Sequence, residues 1–212
     1  MEHLSRAVGP LATNVHLLAD PTWREAIAID TAIPSLAWIT EELAVRGWAL
    51  RLIVTTHGHW DHMGDNAAVA EHTGAAIAVH PDDRYRLLDP QPLFAPFPIP
   101  PCVPAIDLVE GGEVRFGAVR LRVVHTPGHT EGSVCLYEPD RGLLFSGDTL
   151  FAGGWGRTDL PGGSEAAMAE SIARLCELED RVRVLPGHGP ETTIGRERAW
   201  MELVRREGRL IA

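Results

Sequence analysis

The sequence predicts a single α/β domain over residues 1–212 in which sheets are covered by helices. Three observations carry this: a strand, helix and strand succession over Leu50–His80, a second β-rich set from Glu113 to Ser146 followed by further helices, and no linker between the halves. With 212 residues, 45% of them hydrophobic and 23% charged, the chain can bury a sizeable core.

Taken in order, Asn14–Ala19 and Ala26–Asp30 are short β-rich runs bounded by turn formers. After Pro34, Leu36, Ile39, Leu43 and Trp48 fall near a 3.6-residue period and predict a helix that stops at Gly47. Leu50–Thr55 follows as a buried strand that runs into His57, and Gly64–His72 as a short helix closed by Gly74. Ala75–His80 is the next strand, ended by Pro81. Between Pro90 and Pro104 seven of fifteen residues are proline, which predicts a stiff, extended connector or, alternatively, a wall of the active site. Glu113–Phe116, Val119–Thr126, Ser133–Tyr137 and Leu143–Ser146 read as an antiparallel meander. Ser164 caps a helix whose Met168, Ile172, Leu175 and Cys176 form one apolar stripe, and Val182–Leu185 and Ile194–Glu207 are the last strand and helix.

Charge excludes some functions. The formal net charge of −10 gives no electrostatic reason to expect nucleic acid or an anionic membrane as partner. All 19 basic residues are arginine, so Schiff-base chemistry, a lysine base and a P-loop lysine are ruled out. Cys102, Cys135 and Cys176 match neither a disulfide framework nor a CxxC pair and read as reduced core thiols. Met1–Pro10 lacks a signal-peptide pattern and no run of 18 apolar residues occurs, so a cytoplasmic location is expected.

The chemistry lies with the histidines. His57-Gly58-His59-Trp60-Asp61-His62 is an HxHxDH run directly after a strand, with a chance expectation on the order of one in a thousand for this composition. In an irregular loop, His57 and His59 can turn to one point while Asp61 and His62 turn to a neighbouring one. Three more candidates each follow a predicted strand and a glycine: His129 in Thr126-Pro127-Gly128-His129-Thr130, Asp148 in Ser146-Gly147-Asp148-Thr149, and His188 in Pro186-Gly187-His188-Gly189. Five histidines and two aspartates at strand ends form a nitrogen and oxygen donor set suited to Zn²⁺, with Fe²⁺ or Mn²⁺ as alternatives. His3, His16, His72, His80 and His125 lack ligand spacing and are assigned no role.

These motifs, with Leu11-Ala12-Thr13-Asn14, Phe145–Phe151 and Gly156-Arg157-Thr158-Asp159-Leu160-Pro161-Gly162-Gly163, resemble the metallo-β-lactamase superfamily, and within it the short glyoxalase II-like (hydroxyacylglutathione hydrolase-like) hydrolases. The resemblance runs through nearly the whole chain. It implies an αββα four-layer sandwich, one metal held by His57, His59 and His129, a second held by Asp61, His62 and His188, and Asp148 bridging the two. The chain departs from the family at Asp30-Thr31-Ala32, where Asp-x-Gly is usual, at Ala199-Trp200-Met201, and in lacking the helical extension that gives full-length glyoxalase II its glutathione contacts.

Two divalent ions at such a site would bring the pKa of bound water toward about 7, so neither serine nor cysteine is needed as nucleophile. The expected activity is thioester hydrolysis, with Asp61 and Asp148 as catalytic carboxylates and Asp61 orienting the nucleophile. Arg157 is the candidate contact for a substrate carboxylate, with pairing to Asp159 as the alternative. Trp155, Tyr85, Trp60 and Phe151 are candidates to line the pocket. The expected partner is a small-molecule thioester, and a homodimer is left open. The competing reading is a mononuclear iron persulfide dioxygenase, with His59, His129 and Asp148 as the nearest matching positions, but Pro186-Gly187-His188-Gly189 has the hydrolase form. Lactonase and β-lactamase activities also occur in the superfamily; acidity and the lack of a basic insertion disfavour the nuclease variant. A non-catalytic module would need a broken ligand set, and all seven positions are intact.

Overall fold

The computed structural model describes residues 1–91 and 95–211. The chain runs β1 (Glu2–Val8), β2 (Thr13–Asp20), β3 (Glu25–Ile29), α1 (Leu36–Arg46), β4 (Ala49–Val54), α2 (Trp60–Met63), α3 (Asn66–Thr73) and β5 (Ala76–Val79). A 3-10 turn, Pro81–Asp83, leads into α4 (Arg84–Leu88), then β6 (Ile106–Asp107), β7 (Glu113–Phe116), β8 (Val119–His125), β9 (Val134–Glu138) and β10 (Leu143–Gly147). The short pair β11 (Leu150–Phe151) and β12 (Gly154–Trp155) precedes α5 (Glu165–Leu175), β13 (Arg183–Pro186), β14 (Thr192–Thr193) and α6 (Ile194–Glu207).

Two six-stranded mixed sheets result, ordered β1-β2-β3-β4-β5-β6 and β14-β13-β10-β9-β8-β7. In the first, β3, β4 and β5 are parallel neighbours, as the strand, helix and strand reading requires. In the second, β7 to β10 form the expected antiparallel meander and β13 joins β10 in parallel.

Period-2 alternation sorts the side chains into layers. Along β2, Val15, Leu17 and Ala19 join Trp38, Ile39 and Leu43 of α1 on the outer face of the first sheet. The intervening Leu18, with Ile27, Ile29 and Val54, packs on Leu121, Leu136 and Phe145 of the second sheet. The outer face of that sheet packs Leu144 and Val184 against Met168, Ile172 and Leu175 of α5 and Met201 and Val204 of α6. The order is therefore helix, sheet, sheet, helix. Strands sandwiched in this way are buried on both faces, which is why β2 and β10 are buried at nearly every position rather than at alternate ones.

Three details depart from the sequence reading. β1 is an edge strand with little burial, fixed by antiparallel pairing to β2, and its polar composition hides it. The helix expected over Gly64–His72 is α3, which starts two residues later and is preceded by the separate turn α2, because Asp65 is pinned between them: its N–H donates to Thr31 O at 2.9 Å and its Oδ2 accepts from Ser35 N and Leu36 N at the start of α1. In the Pro90–Pro104 segment the described residues form neither helix nor strand, and Pro92 lies outside them. Ile99 and Cys102 fold back into the core on the outer side of the first sheet, where Cys102 N donates to Leu87 O of α4 at 2.9 Å. All three cysteines are free and buried. Among the described residues no helix is long and apolar enough to cross a membrane.

Candidate metal centre

All seven predicted ligand positions meet at one end of the sandwich, where the C-terminal ends of β4, β8, β10 and β13 converge. His57 follows β4 directly; His59 stands at the N-cap of α2, and Asp61 and His62 lie within that single turn. His129, Asp148 and His188 arrive on the loops after β8, β10 and β13. Gly147 has φ +49, and an added Cβ there would stand 2.5 Å from Thr56 Oγ1, so only glycine lets the chain turn into Asp148. At Gly187 the reason is space: a Cβ would overlap Asp148 Oδ1 and His62 Cε1.

The donor atoms fall into overlapping groups, each with its atoms within 4.8 Å of one another: His57 with His59 and His129, Asp61 with His62 and His188, and His57 with His62 and Asp148. His59 Nδ1 is 2.8 Å from His129 Nε2, and His62 Nε2 is 3.2 Å from His188 Nε2. Asp148 stands between the pairs, with Oδ1 at 3.4 Å from His62 Nε2 and Oδ2 at 3.5 Å from both His129 Nε2 and His188 Nε2. Asp61 Oδ2 lies 3.1 Å from His188 Nε2 and accepts from Thr13 Oγ1 at 3.3 Å.

The outer nitrogens explain why the rings point inward. His62 Nδ1 donates to Asp30 Oδ2 at 2.9 Å, His129 Nδ1 to Arg157 O at 2.7 Å, His188 Nδ1 to Leu11 O at 3.0 Å and His57 Nδ1 to Thr56 Oγ1 at 3.1 Å. Each bond fixes the tautomer and leaves the Nε2 lone pair facing the centre, the arrangement that orients histidine toward a metal. His57 Nε2 and Asp148 Oδ1 are buried without a hydrogen-bond partner, which a buried polar atom does not tolerate cheaply. Inward lone pairs and orphaned buried donors fit divalent cations.

The electrostatics agree. Burial, then His62 and His129 nearby, pushes His57 well below the usual imidazole range, and burial with His129 lowers His59 to about 3, so both stay neutral. For His62 burial acts downward, but Asp148, Asp61 and Asp30 outweigh it and raise the ring's pKa well above the ordinary value, a concentration of negative charge that a bound cation would neutralise on displacing the proton. Burial would raise Asp61 and Asp148, yet His62 first, with other histidines, keeps both carboxylates ionised.

A cavity of about 570 Å³ opens above this floor. Tyr85 stands at its mouth, 53% exposed, and Trp60 and Phe151 line it, as expected. Trp155 departs from expectation, and Arg157 follows the alternative of pairing with Asp159. Trp155 is absent from the described lining: its ring packs on Trp200, 5.4 Å between centroids, because pairing with Leu150 turns it toward the α6 layer. The Arg157 guanidinium lines the cavity but is held by both carboxylate oxygens of Asp159 at 2.7 and 2.8 Å, and its contribution to the centre is the carbonyl that orients His129.

Asp30, noted in the sequence only as a strand end and as part of Asp30-Thr31-Ala32, and Asp83, which the sequence did not single out, organise the centre. Asp30, at φ +57 where β3 ends, also accepts from Thr56 N and Thr56 Oγ1, both at 2.8 Å. Ala32 stands where the family has glycine, and its φ is not positive, so no glycine is required. Asp83 accepts from Gly58 N at 2.7 Å, Thr130 Oγ1 at 2.7 Å and Gly132 N at 3.1 Å, tying the His57–His59 loop to the His129 loop. The available signal was a carboxylate just beyond a strand end of the same sheet.

Comparison with known proteins agrees with this geometry. The chain belongs to the metallo-β-lactamase superfamily, whose family model matches residues 8–188. It is 40% identical over 199 residues to an uncharacterized protein of Aquifex aeolicus, covering 91% of this chain and 92% of that one. It is 37% identical over 174 residues to the hydroxyacylglutathione hydrolase of Maricaulis maris, covering 81% of this chain and 60% of the relative. Among solved structures it resembles the B3 metallo-β-lactamase BLEG-1, with TM-score 0.86, 34% identity and coverage of 93% and 97%. It also resembles TTHA1623 in a di-iron-bound form, with TM-score 0.75, 32% identity and coverage of 92% and 96%. The superfamily binds divalent metals, and this chain carries the histidine and aspartate cluster for them.

Proposed function

We propose that the protein is a dinuclear metal-dependent hydrolase that cleaves a thioester. The observation that carries this is the double donor set at the cavity floor, with Asp148 between its halves. His57, His59 and His129 would hold one ion, Asp61, His62 and His188 the other, and Asp148 both; zinc is the expected metal, with iron or manganese as alternatives. Bound divalent ions supply Lewis acidity and lower the pKa of water toward neutrality. Asp61, steadied by Thr13 and facing the cavity, orients the attacking water as a hydrogen-bond acceptor. Trp60, Met63 and Phe151 exclude bulk water from the reacting carbonyl. The likeness to a hydroxyacylglutathione hydrolase supports a thioester as the substrate.

The test is elemental analysis of protein purified without added metal, coupled to hydrolysis of S-lactoylglutathione and of simple acyl thioesters by the same sample. Close to two metals per chain with turnover of either thioester is the expected result. One iron per chain, no thioester turnover and oxygen uptake with glutathione persulfide would overturn it in favour of the dioxygenase.

A further inference from the structure

The walls of the cavity carry information that its floor does not. Leu11, Trp60, Met63, Phe151, Leu160 and Pro161 make most of them apolar, and Leu11 and Tyr85 remain about half exposed at the mouth. Apolar side chains left in water around a concave site mark the place where an apolar ligand group recovers that cost.

The cations of the wall are each already paired with a carboxylate. Among the described lining residues the basic side chains are Arg86 and Arg157. Arg86 Nη2 donates to Glu131 Oε2 and to Pro161 O, both at 2.8 Å, while its Nε faces Asp83 Oδ1 at 3.3 Å. Arg157 is closed as a fork on Asp159. Asp89 adds a further carboxylate to the wall. On the wall a substrate carboxylate would find both guanidinium groups already engaged and Asp89 opposing it, and would lose hydration without gaining an unshared partner.

We infer that the substrate is an acyl compound whose parts away from the reacting carbonyl are apolar and carry no anionic group: a thioester of an aliphatic or aromatic acid with an uncharged thiol, rather than a dicarboxylate such as a glutathione conjugate. This rests on the hydrolase reading for the reaction, but the choice of ligand rests on the wall alone.

The test compares matched thioesters of N-acetylcysteamine on the metal-loaded protein: hexanoyl, and adipoyl, in which a carboxylate replaces the terminal methyl. Binding of the ketone analogues, with CH₂ in place of sulfur, is measured in parallel by calorimetry. The expected result is a hexanoyl preference of about tenfold or more, with kcat/KM rising about fourfold per methylene from butanoyl to hexanoyl. Asp159→Ala, which frees the Arg157 fork at an exposed position, should raise adipoyl turnover and binding several-fold and leave hexanoyl unchanged. Equal or better handling of adipoyl by the unaltered protein, in turnover or in ketone binding, overturns the proposal. Tighter binding of the hexanoyl ketone without turnover of any thioester would uphold the ligand class and sink the thioesterase reading instead.

Discussion

The Asp30 carboxylate accepts a hydrogen bond from His62 Nδ1 at 2.9 Å, with both side chains buried. Asp30 is the hinge between fold and site: the backbone turn that ends β3 places its carboxylate where it fixes the end of β4 through Thr56 and aims His62 at the centre. A residue that touches no substrate thereby sets the geometry of two that line the metal centre.

Replacing Asp30 by Asn keeps an acceptor but exchanges a carboxylate for an amide, weakening the charge-assisted bond to His62. The expected outcome is a folded protein whose metal affinity falls about 10–100-fold, measured by chelator competition. Unchanged affinity would show that His62 is oriented by packing alone.

Asp83 ties the two histidine loops together from a fully buried position. Asp83→Ala leaves Gly58 N and Gly132 N without their acceptor and Arg86 without a partner at Nε, so a loss of about 3–5 kcal/mol is expected in urea unfolding. A loss below about 1 kcal/mol would mean that the loops hold their course independently.

Ions bound by the folded centre stabilise it by mass action, because the unfolded chain scatters their ligands. Exhaustive chelation should lower the calorimetric Tm by about 10 °C, and re-addition of Zn²⁺, Fe²⁺ or Mn²⁺ should restore it to different extents that rank the metals. A Tm indifferent to removal of measured metal would contradict this.

Acid should destabilise the fold through His16, which lies between the sheets beside His3 and Phe145. Burial first, and then His3, lowers its pKa from 6.5 to about 3, so the folded protein keeps it neutral. As pH falls below about 6.5 the unfolded chain takes up a proton that the folded one refuses until about pH 3. Stability is therefore complete above pH 6.5 and declines on acidification by up to about 1.4 kcal/mol per pH unit from this group. His16→Leu should flatten the difference between urea titrations at pH 7 and pH 5; equal slopes in the two proteins would refute the assignment.

The metal ligands could be read from the chain because their signal is local and chemical. HxHxDH and the Gly-His and Gly-Asp loops place donor atoms directly after strands, and any fold that brings those strand ends together brings the donors together. The apolar runs that became β2, β4 and β10, and the helices ending at Gly47 and Gly74, were visible for the same reason: burial and capping act over a few residues. Partner choice was not visible. That Asp30 reaches His62, that Asp83 spans from Gly58 to Gly132, that Asp159 closes on Arg157 and that Trp155 turns to Trp200 all depend on register between elements distant in sequence or on which way a short hairpin faces. A donor's chemical type is a property of one residue; its partner is a property of packing, and packing is settled when the two sheets close on each other.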